Sequence, residues 1–369
     1  MKKINLTTVK SVLESLGQII VIAGIAAVLL CIMASCENDL IGERTRKNVL
    51  NPLPLTVINQ TGGYDENMNI VFLPERYAAT EMQAFRNEVN MAWEILRATA
   101  PYSYSLDKIN VFAVEVPSPT DSTTVFGMAK PQPDQVYVPI RFDSIRSVMN
   151  RLPFKTERTV LVVITNTRES YLGFTHVFDP TKEMYIPPTA VIQSLLSYRE
   201  SPQIFLHELS HCNLLGDEYS YEGTQISEEE IAELEEYHKA GMFLNVTANQ
   251  ENFWWQDFIG DDDYADSKID LYEGGYCFEK SVWRPTQNSV MRHHYSASYH
   301  SPVDRYLIYC DIERMHSGRT ISYEEWKAID LAHPQQPIDF AEITGNRANT
   351  RSLESITHDY NYNDLIIVK

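Results

Sequence analysis

The sequence predicts an α/β fold in which helices pack on a twisted mixed sheet. Short apolar runs typical of buried strands alternate with amphipathic helical patterns along most of the chain. The chain has 369 residues, 44% of them hydrophobic and 22% charged, which is an ordinary globular composition. This length accommodates one large domain or two small ones.

The first predicted elements are a strand, a helix and two further strands. Residues 69–73 form an apolar run bounded by Pro74, as expected of a buried strand. Apolar residues at helical spacing predict an amphipathic helix over 81–99. Residues 109–116 alternate like a strand, and the continuous β-branched run 159–164 is typical of a central strand. This order favours a mixed sheet.

Two helices are predicted in the next part of the chain. The first lies within residues 201–218, where Ser201 suits the N-cap and Pro202 the first helical position. Gly216 suits the left-handed residue after its end. The second runs from Ser227 to Lys239 and begins with a capping box.

The first of these helices carries the residues that indicate chemistry. His207 and His211 are four residues apart, so both imidazoles lie on one helical face and can bind one ion. Glu208 lies beside the first histidine, within reach of a metal-bound water. A catalytic zinc site needs a third ligand, and we predict Asp217 on spacing, with Glu218 as the neighbouring candidate. The alternative is two helical histidines satisfied by hydrogen bonds in the core.

Residues 1–35 are predicted to be an export signal and to lie outside the fold. A basic start precedes an uncharged apolar run from Leu16 to Ser35. Met33-Ala34-Ser35-Cys36 resembles the lipobox of bacterial lipoproteins, which implies cleavage before Cys36 and lipid attachment to its sulfur. An uncleaved transmembrane helix is the alternative, because the run is long enough to span a bilayer of ~30 Å. Either interpretation predicts an extracytoplasmic protein, and residues 36–65 are predicted to be a tether leading into the first strand.

The net charge of −19, with no basic stripe, excludes nucleic acid as an expected partner. The acidity is most simply explained by solubility. A dense acidic stretch leaves a Ca2+ site open as an alternative, although it lacks EF-hand spacing. The aspartates of this acidic stretch are Asp257, Asp261, Asp262, Asp263, Asp266 and Asp270.

The metal motif resembles that of a known group of zinc enzymes. His207-Glu208-x-x-His211-x5-Asp217 has the spacing of the metzincin motif, with Asp where many members have a third His. Leu214 stands where a glycine is usual. Residues 288–292, Asn-Ser-Val-Met-Arg, look like the metzincin methionine turn. Three further stretches are similar to the IgA-peptidase family of metallopeptidases: 69–73 with Tyr77, 271–276 and 282–285.

This resemblance covers roughly residues 66–320, and it implies a zincin-type α+β fold with a smaller C-terminal subdomain that carries the methionine turn. It implies one Zn2+, with Glu208 as general base and Met291 as an apolar floor. Tyr295, near that turn, is a further catalytic candidate by analogy with some members. The family's Gly-Asp-Gly-Tyr-like turn is replaced here by Pro-Glu-Arg-Tyr at 74–77.

We therefore expect a zinc metallopeptidase domain over 66–336 that acts on a protein or peptide substrate. Residues 337–369 are predicted to be a tail or a late strand. Two other functions share these residues: a zincin-fold binding lipoprotein with weak or no catalysis, and a zinc amidase that acts on cell-wall peptides. Lipid attachment at Cys36 would hold any of the three at a bacterial membrane.

Overall fold

The computed structural model of the chain describes residues 51–118, 142–166, 173–178, 186–293, 297–336, 338–345 and 365–368. All of these belong to one compact unit, Asn51–Lys369. The strands are β1 (Leu55–Asn59), β2 (Met68–Glu75), β3 (Ile109–Val114), β4 (Thr159–Thr165), β5 (Gly173–Phe178), β6 (Thr189–Gln193), β7 (Ser220–Gln225), β8 (Tyr272–Gly275), β9 (Cys277–Arg284) and β10 (Leu365–Val368). The helices are α1 (Met82–Ala98), α2 (Phe142–Asn150), α3 (Ser201–Cys212), α4 (Glu228–Lys239), α5 (Pro302–Ser317), α6 (Tyr323–Ala332) and α7 (Phe340–Ile343).

The larger sheet is mixed, as the α/β prediction requires. Within the described ranges its strand order is β1-β3-β2-β4-β6-β5-β10. Strands β3, β2, β4 and β6 are mutually parallel, whereas β1 and β5 each run antiparallel to their inner neighbour. A smaller sheet has the order β7-β9-β8.

Alternating residues of the central strands pack into two different hydrophobic cores, one on each face of the sheet. On one face, Ile70 and Phe72 of β2 pack with α1, α3 and α5. On the other face, Val71 and Leu73 pack with α2. Because side chains of a strand alternate between faces, a central strand covered on both sides is apolar throughout. Strand β4 has this pattern and lies between β2 and β6, so the prediction of a central strand over 159–164 is confirmed.

Several predicted boundaries differ from those observed. Strand β2 continues through Pro74 to Glu75, where Pro74 is paired in register with Ile164 of β4. The pairing of β2 with β3 runs from Met68 to Phe72, so Pro74 lies beyond it and its missing N–H removes no bond of that pairing. Strand β3 ends at Val114, two residues before the predicted end.

The ends of α3 also differ from the prediction. The N-cap is Glu200, because Ser201 already has helical geometry as the first residue of α3. The left-handed residue after the helix is Leu214, with φ 66°, and not Gly216. A Cβ atom at Gly216 would lie 3.1 Å from Val246 Cγ2 and 3.3 Å from Phe243 Cβ, so close packing explains this glycine.

Candidate metal centre

Helix α3 brings two histidine side chains together inside the protein. The Nε2 atoms of His207 and His211 are 3.0 Å apart, and both residues are buried. His207 Nδ1 lies 3.0 Å from the carbonyl oxygen of Val290, and His211 Nδ1 lies 2.8 Å from that of Leu215. A carbonyl oxygen only accepts, so each Nδ1 carries the proton. Each ring therefore directs its Nε2 atom toward the other ring.

The third predicted ligand meets these two rings. After the left-handed turn at Leu214, the chain returns toward α3 and places Asp217 Oδ1 3.1 Å from both Nε2 atoms. Asp217 is buried, and Oδ1 has no other partner among the described residues. Burial raises the pKa of the Asp217 carboxyl, but the charges and hydrogen bonds of His211 and His207 outweigh it and lower that pKa below its usual value. The carboxyl therefore carries a negative charge.

Three acceptor atoms in contact are compatible with a bound cation. Ligand atoms on one tetrahedral zinc, each bonded at about 2.0–2.1 Å, are separated by about 3.3 Å. The observed separations are 3.0, 3.1 and 3.1 Å. Among the described residues, His207, His211 and Asp217 are the group of His, Cys, Asp and Glu side chains that can hold a metal ion. The chemistry and geometry of the donors therefore fit a single divalent metal.

An asparagine holds the turn that carries Asp217. Asn245 accepts a hydrogen bond from the Gly216 N–H at 2.7 Å and donates one to the Gly216 carbonyl at 2.9 Å. It also lies 3.2 Å from Glu218 Oε1, to which its amide donates. Asn245 is fully buried. The residues on either side of Asp217 are therefore fixed by one side chain.

The alternative third ligand, Glu218, has a different role. Its carboxylate accepts a hydrogen bond from the Ser289 hydroxyl at 2.6 Å, and its backbone N–H donates to the Met291 carbonyl at 3.0 Å. Both contacts tie Glu218 to the turn at 288–292. Glu218 does not belong to the metal-compatible group found among the described residues. Its carboxylate therefore supports the turn, and Asp217 is the third candidate ligand.

The predicted methionine turn lies against the metal helix. Met291 is fully buried at this turn, and its N–H donates to the Ser289 hydroxyl at 3.2 Å. The neighbouring Val290 carbonyl is the group that accepts from His207. The turn therefore fixes the orientation of one of the two imidazole rings through its backbone.

Glu208 is held in position by strand β5. Thr175 Oγ1 donates to Glu208 Oε2 at 2.6 Å, and both residues are buried. A Cβ atom at Gly173 would lie 2.9 Å from Glu208 Oε1, so any side chain at this position would displace the Glu208 carboxylate or its neighbour Ile204. The Glu208 carboxylate therefore has a fixed orientation, and Glu208 directly follows the candidate ligand His207 in the sequence.

Sequence reasoning missed Thr175 and Asn245. Thr175 has no sequence signal, because its contact with Glu208 joins residues 33 apart along the chain. Asn245 begins a formal glycosylation triplet with Val246 and Thr247. Its complete burial is incompatible with glycosylation in the folded protein, and its contacts explain it as a support for Gly216 and Glu218.

The remaining predicted residues lie elsewhere. Tyr295 and Cys36 are outside the described residues. In the acidic stretch, Asp261 and Asp263 both pair with Lys327, at 2.5 and 2.7 Å. Within the described ranges, the aspartates of that stretch do not form a metal-compatible group.

Cysteine pairing and membrane crossing can be assessed for the described part of the chain. None of its cysteines, which are Cys212, Cys277 and Cys310, forms a disulfide. None of its helices combines the length and apolar character that a membrane crossing requires.

No protein-family model matches the chain, and no curated protein matches it either. The residues of the metal centre and their geometry are therefore the features of the chain that indicate its function.

Proposed function

We propose that the protein is a zinc-dependent peptidase. The observation that carries the proposal is the contact of His207 Nε2, His211 Nε2 and Asp217 Oδ1 within 3.0–3.1 Å of one another. Glu208 is the residue after His207 on the same helix. Two imidazoles and one carboxylate are a donor set typical of catalytic zinc, which keeps a further position open. We also propose that the fold is of the zincin type, with the methionine turn in its C-terminal part.

Zinc bound by these residues supplies Lewis acidity toward a carbonyl oxygen and an attacking water that is acidic near neutral pH. In the proposed reaction, Glu208 removes one proton from the attacking water as its oxygen bonds to the scissile carbon. Glu208 then delivers that proton to the departing amine as the carbon–nitrogen bond breaks. Thr175 orients the Glu208 carboxylate through the 2.6 Å hydrogen bond.

The supporting residues have defined parts in this mechanism. Hydrogen bonds from the two Nδ1 atoms fix the ring orientations and the tautomers that binding requires. Asn245 fixes the backbone on both sides of Asp217. These contacts position the ligands before the metal binds, which lowers the cost of assembling the site.

The first test uses cleavage of unfolded casein by the purified protein. We expect cleavage that stops with a chelator and returns with added zinc. Glu208→Gln should abolish cleavage while retaining the metal, because its side chain is not a ligand in this assignment. Persistent cleavage by Glu208→Gln would refute the general base.

Two other outcomes would favour the alternative functions. Peptide binding without turnover in the zinc-loaded wild type would indicate a binding protein. Release of peptides from cell wall, with casein left intact, would indicate an amidase. We further propose that Cys36 carries a lipid that anchors the protein to a bacterial membrane outside the cytoplasm, which mass spectrometry of the membrane-extracted protein would test.

A further inference from the structure

Two arginine side chains lie close to each other near the turn at 288–292. Arg284 is the last residue of β9, and Arg292 directly follows Met291 in that turn. Burial lowers the pKa of the Arg284 guanidinium to about 10, and the positive charge of Arg292 contributes to this decrease. Arg284 therefore keeps its charge near neutral pH, beside a second guanidinium.

Arg292 lies against the segment that carries the third candidate ligand. Its Nη1 is 3.4 Å from the carbonyl oxygen of Glu218, the residue after Asp217. Two residues before Arg292, the carbonyl oxygen of Val290 accepts the hydrogen bond of His207 Nδ1. The arginine pair is therefore built on the same segments that position the metal ligands.

The hydrogen bonds of the pair use only part of its donor capacity. Arg284 Nη1 donates to the carbonyl oxygens of Glu273 and Gly274, at 2.7 and 2.5 Å. The Nε atoms of Arg284 and Arg292 are both buried, and neither has a hydrogen-bond partner among the described residues. A guanidinium has five N–H donors, and leaving such donors unpaired away from water is costly. The pair can therefore accommodate a further acceptor.

Within the described ranges, no carboxylate forms an ion pair with either arginine. Glu218 is the acid close enough to act on both guanidinium groups. Its carboxylate, however, bonds the Ser289 hydroxyl and the Asn245 amide. The whole chain has a net charge of −19, so this pair is a local positive site in an acidic protein.

An anion can reach the pair through Arg292. Arg292 is half-buried, and His293, which follows it, is exposed. Burial and the charges of Arg292 and Arg284 lower the pKa of the His293 imidazole, so this ring adds no positive charge near neutral pH. Arg284 is only 7% exposed. A bound anion would therefore contact Arg292, with Arg284 adding its charge from within the protein.

We infer that Arg292, supported by Arg284, binds a carboxylate group of the peptide substrate and thereby selects acidic substrates. The inference rests on the proposed peptidase function and deepens it. Carboxylates are the anions that an unmodified peptide carries, and a guanidinium binds them through parallel N–H···O bonds. Partial burial of the pair strengthens such a contact, because water competes less. An acidic side chain and a C-terminal carboxylate offer the same group, and the test distinguishes them.

The test compares three pools of N-acetylated random octapeptides with the zinc-loaded wild-type protein, and it follows the amino groups that cleavage releases. The acidic pool contains Asp and Glu and has an amidated C-terminus. The neutral pool has Asn and Gln in their place, and the third pool is the neutral one with a free C-terminal carboxylate. We expect kcat/KM to be at least about tenfold higher for the acidic pool or for the free-carboxylate pool than for the neutral pool. Preference for the acidic pool assigns a side chain to the site, and preference for the third pool assigns the C-terminus.

A substitution shows which residue causes the preference. Arg292→Gln removes the charge, and it should reduce the ratio of kcat/KM between the preferred and neutral pools to about one. Arg86→Gln is the matched control, because it removes the same charge from helix α1, where Arg86 pairs with Glu115. We expect Arg86→Gln to retain the ratio. Equal loss of the ratio in both variants would attribute the preference to net charge and overturn the inference.

The wild-type comparison decides the matter even if Arg292→Gln does not fold. Cleavage of all three pools with equal kcat/KM would overturn the inference and leave the peptidase proposal intact. Cleavage of none of the pools by the zinc-loaded protein would contradict the peptidase proposal itself, and the inference with it.

Discussion

Replacement of Asn245 by alanine is expected to weaken metal binding although Asn245 is not a ligand. The change removes the acceptor of the Gly216 N–H and the donors to the Gly216 carbonyl and Glu218 Oε1. All three groups belong to buried residues on either side of Asp217. The turn that carries the carboxylate therefore loses the contacts that hold it toward His207 and His211.

The magnitude follows from these contacts. A buried polar group that loses its hydrogen-bond partner destabilises the folded protein by about 1–3 kcal/mol. Part of this free energy is recovered if the turn moves and the group finds another partner. In the observed structure both Nε2 atoms lie 3.1 Å from Asp217 Oδ1. Movement of the turn would displace Asp217 from them. Removing such a supporting contact typically lowers metal affinity by about 10–100-fold, or about 1.4–2.7 kcal/mol.

The assay is competition for zinc between the protein and a chromogenic chelator. Asn110→Ala is the matched control, because Asn110 is equally buried and also bonds backbone groups of two glycines, Gly62 and Gly63. We expect Asn245→Ala to bind zinc at least tenfold more weakly than Asn110→Ala. Equal zinc affinity in the two variants would refute the assigned role of Asn245.

Two further predictions concern residues near the sheet. Thr175→Val removes the hydrogen bond to Glu208 with little change in the shape of the side chain. The kcat for peptide cleavage should therefore fall about tenfold, while zinc affinity is retained. An unchanged kcat would contradict the role assigned to Thr175. Burial raises the pKa of Glu75 from 4.5 to about 8, so the folded protein binds this proton more tightly than the unfolded chain. The free energy of unfolding should therefore fall by up to about 5 kcal/mol in total as pH rises from about 4.5 to about 8. In urea unfolding measured across this pH range, Glu75→Gln should remove this contribution to the pH dependence. Identical pH slopes for the two proteins would exclude the raised pKa.

Local patterns predicted the elements that carry the site. The i, i+4 spacing of His207 and His211 places both side chains on one face of a helix, and this does not depend on the tertiary structure. The capping box at the start of α4 is equally local, and Ser227 and Glu230 bond each other's backbone as predicted. The continuous β-branched run of β4 is also a local pattern, and it predicts the central strand that is observed.

Features set by tertiary packing were not predictable from local patterns. Leu214 adopts the left-handed conformation that glycine prefers, because the surrounding contacts determine the turn. Its N–H donates to the His211 carbonyl, and its own carbonyl accepts from the Phe243 N–H at 2.7 Å. Residue type alone favours Gly216 for that conformation, because glycine has no Cβ atom. The partners of Glu208 and of the Asp217 turn come from distant segments, and spacing along the chain does not encode them.

The most direct test of the account is the zinc content of the purified protein, by mass spectrometry of the metal. The account predicts one zinc per wild-type chain and loss of that zinc in His207→Ala and in Asp217→Ala. His333→Ala and Asp257→Ala, which alter exposed residues outside the centre, should retain it. Full zinc content in Asp217→Ala, or none in the wild type after zinc loading, would contradict the assignment of the three ligands.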